Sequence, residues 1–187
     1  MRHGNLLIIS GPSGAGKGTL VSKVKPLISD IWVSVSATTG SPREGEIEGV
    51  HYYFKTEEEF DDLIENDGFI EWACVHGNKY GTLRAAVEDH IAAGKQVILE
   101  IDVQGAFQVR EKMPDAKLIF IAPVSMEVLE ARLRGRNTET EEAIQKRING
   151  AKLELSQKME YDVEIVNDDL EKAVNELYQV IESYAEN

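Results

Sequence analysis

Cysteine is almost absent from this chain. Cys74 is the only one in 187 residues, so no internal disulfide framework can form, and the composition suits a reducing compartment such as the cytoplasm. Cys74 itself reads as a small, half-buried apolar residue. The four histidines, His3, His51, His76 and His90, show no metal-ligand spacing, and no metal site is assigned to side chains. No apolar run approaches a membrane span, and "MRHGNLLIIS" is too short for a secretory leader ahead of the first functional segment. Basic residues are scarce too: 20 Lys and Arg against 33 Asp and Glu leave a formal net charge of −13 at pH 7. That sign excludes a nucleic-acid polymer as the expected partner. Repeats, low-complexity tracts and linkers are missing, so the length fits one substantial core with small appended lobes. Nothing in the sequence speaks to oligomeric state.

What is present begins with "GPSGAGKGT", residues 11–19. The preceding "NLLIIS" is a short apolar run that reads as a buried parallel strand. The following "KGTLVSKVKPLI" spaces Leu20, Val21, Val24 and Leu27 as a helix does, with Pro26 near its end. Strand, glycine loop and helix are the setting in which G-x-x-x-x-G-K holds phosphate, and Gly11, Gly16 and Lys17 fit it. Backbone N–H groups and the positive helix end face the anion, and Lys17 reaches the phosphate that moves. One position departs from the motif. Gly18 follows the lysine where a hydroxyl is usual, and Thr19 comes one place later. Thr19 is therefore expected to bind phosphate, with Mg²⁺ held mainly by nucleotide and water.

Further strands are expected at 95–101, 116–122 and 163–166, and helices at 56–66, 82–93, 104–112, 125–134, 139–158 and 169–185. Apolar strands alternating with helices predict an α/β domain with a parallel sheet. Residues 33–81 break the rhythm and read as a small, mostly β insertion. Residues 135–147 form another, a loop with a capping signature (Thr138 before Glu141) leading into a charged helix. Arg132, Arg134, Arg136, Lys146 and Arg147 lie within sixteen residues in and just before this segment; alone, such a run reads equally well as a solvated helix face.

The β insertion also carries Ser36, Arg43, Tyr52 and Tyr80, hydroxyls and a guanidinium suited to a phosphate monoester. Glu71 lies in "FIEWA", and Asp102 follows the second buried strand, where ligands of a parallel sheet bind. A carboxylate can accept from the adjacent N1–H and amino donors of guanine, whereas adenine would leave it unpaired. Taken alone, Glu71 reads as a surface or helix-end carboxylate.

Together, "GPSGAGKGT", "VSVSATT..PREGE..GVHYYF", "FIEWA..HGNKYGT", "LEIDVQGA", "RLRGRNTETEEAIQKRI" and "IVNDDL" resemble the guanylate kinase family along nearly the whole chain, in order and at family-like spacing. The resemblance implies an α/β fold with a P-loop NTPase-type parallel sheet flanked by helices, a small mostly β GMP-binding lobe and a mobile lid. It implies a core of residues 1–32, 94–134 and 148–187, a lobe of 33–93 and a lid of 135–147. The implied reaction is ATP + GMP giving ADP + GDP with Mg²⁺, extending to dGMP, in purine nucleotide metabolism and GMP recycling. Carried over by position, Gly11, Pro12, Ser13, Gly14, Ala15, Gly16, Lys17, Gly18 and Thr19 would hold ATP, with Asn167 near its adenine. Ser36, Glu71, Thr82 and Asp102 would surround guanine, and Arg43, Tyr52 and Tyr80 would hold the GMP phosphate. Lys17, Arg43, Arg132, Arg136 and Arg147 would serve the transferring phosphates.

Three positions depart from the family: Gly40 where Arg usually follows "TT", Asn137 in "GRN" for "GRG", and Lys79 in "GNKYG" for "GNYYG". No contacts from a long basic tail after Asn187 are expected. Three other functions share parts of this pattern. A GTPase would need N-K-x-D, and "NKYG" ends on Gly81. A noncatalytic binding module would tend to lack the intact Gly16–Lys17. A kinase for a different acceptor would have no use for Glu71 and Asp102.

Overall fold

The computed structural model describes residues 3–75, 77–135 and 140–186. Its strands and helices follow in the order β1 (Asn5–Ser10), α1 (Lys17–Val24), β2 (Ile31–Val33), β3 (Ala37–Thr38), β4 (Tyr53–Phe54), α2 (Glu57–Glu65), β5 (Phe69–Val75), β6 (Asn78–Leu83), α3 (Arg84–Ala92) and β7 (Gln96–Glu100). After these come α4 (Val103–Lys112), β8 (Lys117–Pro123), α5 (Met126–Arg134), α6 (Glu141–Ser156), β9 (Val163–Asn167) and α7 (Leu170–Ala185).

Five strands form a parallel sheet in the order β2-β7-β1-β8-β9. Its apolar runs are continuous because helices cover both faces. Leu7 and Ile9 of β1 join Ile98, Ile119 and Ile165 against α1 and α7, through Leu20, Val24, Leu177 and Ile181. Leu6 and Ile8 turn the other way, with Val97, Leu99 and Leu118, against Val87 of α3 and Ala106 and Val109 of α4. The strand pleat thus splits one hexapeptide between two half-cores. Helix α3 packs on this sheet although it follows the β insertion directly.

The insertion builds a second sheet, β4-β3-β6-β5, whose β3–β6 and β5–β6 pairs are antiparallel. Helix α2 closes it, with Phe60 stacked on Phe69 at 4.3 Å. Thr56 starts α2 with a reciprocal cap: its hydroxyl accepts from Glu59 N, and Glu59 returns a carboxylate to Thr56 N.

Several boundaries differ from expectation. Thr82 and Leu83 extend β6 opposite Glu71 and Phe69, which delays α3 to Arg84. The cap of α6 is Thr140, whose hydroxyl accepts from Ala143 N, and the helix starts at Glu141; Thr138 lies outside the described residues. Cys74 is exposed on β5, not half-buried. Among the described residues no helix is long and apolar enough to cross a membrane.

Phe60 is wholly buried and fills the small core between α2 and the second sheet. Phe60→Ala should cost about 3–5 kcal/mol, read as a lower midpoint in equilibrium urea unfolding. An unchanged midpoint would show that this core contributes little to the fold.

Candidate active site

Strand β1 delivers the chain into the glycine loop at the carboxyl edge of the sheet. Gly11, Gly14 and Gly16 all take positive φ (142°, 89° and 93°). Gly11 runs so close to β8 that a Cβ would collide with the Ile121 carbonyl, and one on Gly16 would collide with the Asn167 amide. That amide donates to Ala15 O at 2.8 Å, a buried bond tying β9 to the loop. Lys17, first residue of α1, folds its ammonium back onto the loop, donating to Gly11 O at 2.6 Å and Pro12 O at 3.2 Å. Burial pulls its pKa below the ordinary lysine value, and the negative charges of Glu100, Glu154 and Asp102 oppose that fall.

A cleft of about 630 Å³ opens over this loop, lined by Ser13, Gly14 and Gly16 to Thr19 on one side and by Glu100, Arg132, Asn167 and Asp168 on the others. Arg132 of α5 donates to Asn167 O at 3.3 Å. Arg147 of α6 donates to Ser13 Oγ at 3.1 Å, so the charged helix touches the loop directly. Arg134 turns away from the cleft: it bonds Glu130 at 2.8 Å and both oxygens of Glu141 at 2.5 and 2.8 Å, joining the end of α5 to the start of α6. Arg136 lies outside the described residues, as does Asn137.

The second sheet supplies the facing wall. One cavity of about 220 Å³ is lined by Ser34, Ser36, His51, Tyr52, Thr82 and Glu100, with Val33, Leu99 and Ile101 at the strand ends. A smaller one of about 100 Å³ joins Thr38, Gly40, Arg43, Glu46, Tyr52, Asn78 and Tyr80. Tyr52 lines both cavities, and Glu100 lines the first as well as the glycine-loop cleft. The three spaces therefore form one series.

Glu71 of β5 is only 8% exposed, and its Oε1 accepts from Thr82 Oγ1 at 2.6 Å. Burial raises its pKa above the ordinary carboxylate value; the Thr82 bond opposes the rise and the charge on Asp102 adds to it. Asp102 caps α4, accepting from Gly105 N at 2.8 Å. A Cβ on Gly105 would stand 3.2 Å from Glu71 Oε2 and 3.5 Å from Asp102 Oδ1, so the missing side chain lets both carboxyl groups converge there. A buried carboxylate beside a second one can accept from a ligand carrying adjacent N–H donors.

The residues picked out by sequence thus fall into two groups bordering one another. Lys17, Thr19, Arg132, Arg147 and Asn167 gather around the glycine loop. Ser36, Arg43, Tyr52, Glu71, Tyr80, Thr82 and Asp102 gather at the second sheet and the end of β7. Lys79 belongs to neither group, because Glu57, at 2.9 Å, and Asp61 of α2 hold its ammonium. Glu100, Glu154 and Gly105 were not picked out. Glu100 had a signal, since side chains alternate along a strand and it ends β7 two residues before Asp102; the other two had none.

Comparison with known proteins shows the family. A family model described as guanylate kinase matches residues 3–184. A protein named guanylate kinase from Synechococcus sp. (strain CC9311) is 52% identical over 170 residues, covering 91% of this chain and 90% of its own length. One of the same name from Fusobacterium nucleatum is 50% identical over 183 residues, covering 98% of each chain. The crystal structure of guanylate kinase from Anaplasma phagocytophilum superposes with a TM-score of 0.76 at 37% identity, covering 100% of this chain and 90% of that one.

The glycine loop offers a stability test. Gly16→Ala meets both a positive φ and the Asn167 amide, and should cost about 2 kcal/mol or more, seen as a lower thermal midpoint. A midpoint equal to the parent's would mean that the loop relaxes freely.

Proposed function

The chain belongs to the guanylate kinase family, and from that premise we propose that it transfers the γ-phosphoryl group of ATP to GMP, giving ADP and GDP. The observation that carries this reading is the buried Glu71 carboxyl, close to Asp102 and bonded to Thr82, which lines the cavity that shares Glu100 with the cleft over Lys17. Guanine presents N1–H and an amino group side by side to such a pair. Adenine presents an acceptor at N1 and would leave a buried carboxylate unpaired.

The transfer itself needs little covalent chemistry from the protein. An oxygen of the GMP phosphate, already anionic, attacks the γ-phosphorus, and the bond to the β–γ bridging oxygen breaks as ADP leaves. No general base is required. ATP lies over the glycine loop, whose N–H groups and α1 end face its phosphates. Lys17 leaves the carbonyls of Gly11 and Pro12 for the β- and γ-phosphates. Arg132 and Arg147 reach the migrating group from the lid side, Arg136 joins them, and Asn167 lies beside adenine. On the acceptor side Arg43, Tyr52 and Tyr80 hold the phosphate, and Ser36, Glu71, Thr82 and Asp102 hold the base. Within residues 33–93 the second sheet and α2 form the GMP lobe, whereas α3 packs on the core sheet; residues 135–147 form the lid, and lobe and lid close over the core and exclude water.

Mg²⁺ fits this arrangement as an ion carried by the ATP phosphates. Among the described residues no group of three or more acidic, His or Cys side chains could hold a metal, but Glu100 and Thr19 line the cleft and can meet its water shell. When bound, the ion neutralises phosphate charge.

Two measurements test this reading. Lys17→Ala should lower kcat for GMP-dependent ADP formation by on the order of 10²–10³-fold with little change in the KM for GMP; turnover within a few-fold of the parent would remove Lys17 from the donor site. The raised pKa of Glu71 sets a pH dependence, because the ionised form accepts from guanine and the protonated form does not. KM for GMP should therefore rise as pH falls, beginning above the ordinary glutamate value of 4.5. Glu71→Gln should have a high KM at every pH and lose this dependence, and a parent-like profile in that variant would exclude Glu71 from the base site.

A further inference from the structure

The phosphate end of the acceptor cavity is short of positive charge. Arg43 is the one cation among the described residues lining it, and Glu46 lines it as well, with its carboxylate accepting from Arg43 N at 2.8 Å. Lys79, next to Tyr80 in the chain, is held by Glu57 and Asp61 on the far side of the strand. At Gly40 the wall has no side chain. The amide nitrogen of Asn78 lies 3.4 Å, and Thr38 Oγ1 3.3 Å, from the point where a Cβ on residue 40 would stand.

Asn78 opens β6, and its backbone is fixed by pairing with Val75 of β5. Its side chain is half-buried and, among the described residues, donates to no protein acceptor. Thr38, by contrast, has its hydroxyl engaged by Gly40 N at 3.1 Å. A half-buried amide with no acceptor among the described residues, lining one cavity with a guanidinium and two phenols, is placed to donate to an anion.

We propose that Asn78 donates its side-chain N–H to the phosphate of the acceptor nucleotide, a neutral donor working in the space left empty at Gly40. This rests on the GMP-phosphorylating reading above and adds a contact to it. An amide adds no charge, so acceptor affinity stays lower than a second guanidinium would give. Residue 40 has no positive φ, and the nearest atoms to a Cβ there belong to the side chains of Thr38 and Asn78 and not to backbone.

The test compares GMP with guanosine, which lacks the phosphate. Asn78→Ala should raise the KM for GMP about ten-fold, the loss of a hydrogen bond to a charged group, while the KM for ATP and inhibition by guanosine stay at parent values. Asn78→Asp should raise it further, since a carboxylate repels the phosphate. Gly40→Arg placed on Asn78→Ala should bring the KM back to the parent value or below. An unchanged KM for GMP in Asn78→Ala, or a guanosine inhibition constant that moves equally, would overturn the assignment. The parent enzyme separates the two levels: no turnover of GMP by the parent overturns the functional reading and the Asn78 contact with it. Normal parent turnover with an unmoved Asn78→Ala overturns the contact alone.

Discussion

Everything at the site depends on the parallel pairing of β1 with β7. Parallel strands put all their carboxyl ends on one edge, so the loop after β1 and the residues after β7 emerge side by side. Ser10 Oγ, donating to Ile101 O at 2.7 Å, ties the two ends together. One strand end carries Lys17, and the other carries Glu100 and Asp102. Glu100 lines the cleft of the glycine loop, whereas Asp102 converges with Glu71 at Gly105. The end of β7 thus stands between the glycine-loop cleft and the Glu71 carboxyl, and it brings negative charge to both.

That arrangement meets an electrostatic difficulty, because a chain with a net charge of −13 must hold two anionic nucleotides. It does so by allocation. Many cations are used in structural pairs away from the site: Lys79 with Glu57 and Asp61, Arg134 with Glu130 and Glu141, and Arg84 and Lys112 with Asp67. These exposed pairs contribute little stability each, yet they fix which cations face the clefts. Around Lys17 the carboxylates of Glu100, Glu154 and Asp102 work against the loss of charge that burial alone would bring. Those carboxylates favour the charged ammonium, the form that stabilises transfer of an anionic group.

The core was legible from the sequence because its strands are continuous apolar runs and its helices keep a regular period. β1, β7, β8 and β9 fall within a residue or so of expectation. β2 was not legible: its three residues, Ile31–Val33, are all half-buried at a sheet edge and too few to show a period. β3 and β4, two residues each, are defined by their partners and not by their own composition. The same division holds at the site. Lys17 and the glycines sit in a local motif whose spacing carries its meaning. Glu154 approaches Lys17 only because α6 packs back over the loop, and Gly105 matters only because Glu71 arrives from another sheet. The run of basic residues shows the limit most clearly, since composition alone could not separate Arg147, which touches Ser13, from Arg134, which joins two helices.

In the proposed reaction the carboxyl groups of Asp102, after β7, and Glu71, in β5, read guanine through its paired donors. Comparing kcat/KM for GMP, IMP and AMP tests it most directly, because IMP keeps N1–H but lacks the 2-amino group and AMP lacks both donors. GMP should stand far above IMP, and AMP lowest, with the gap between GMP and IMP narrowed in Asp102→Asn. Equal turnover of GMP and IMP, or preference for AMP, would contradict it.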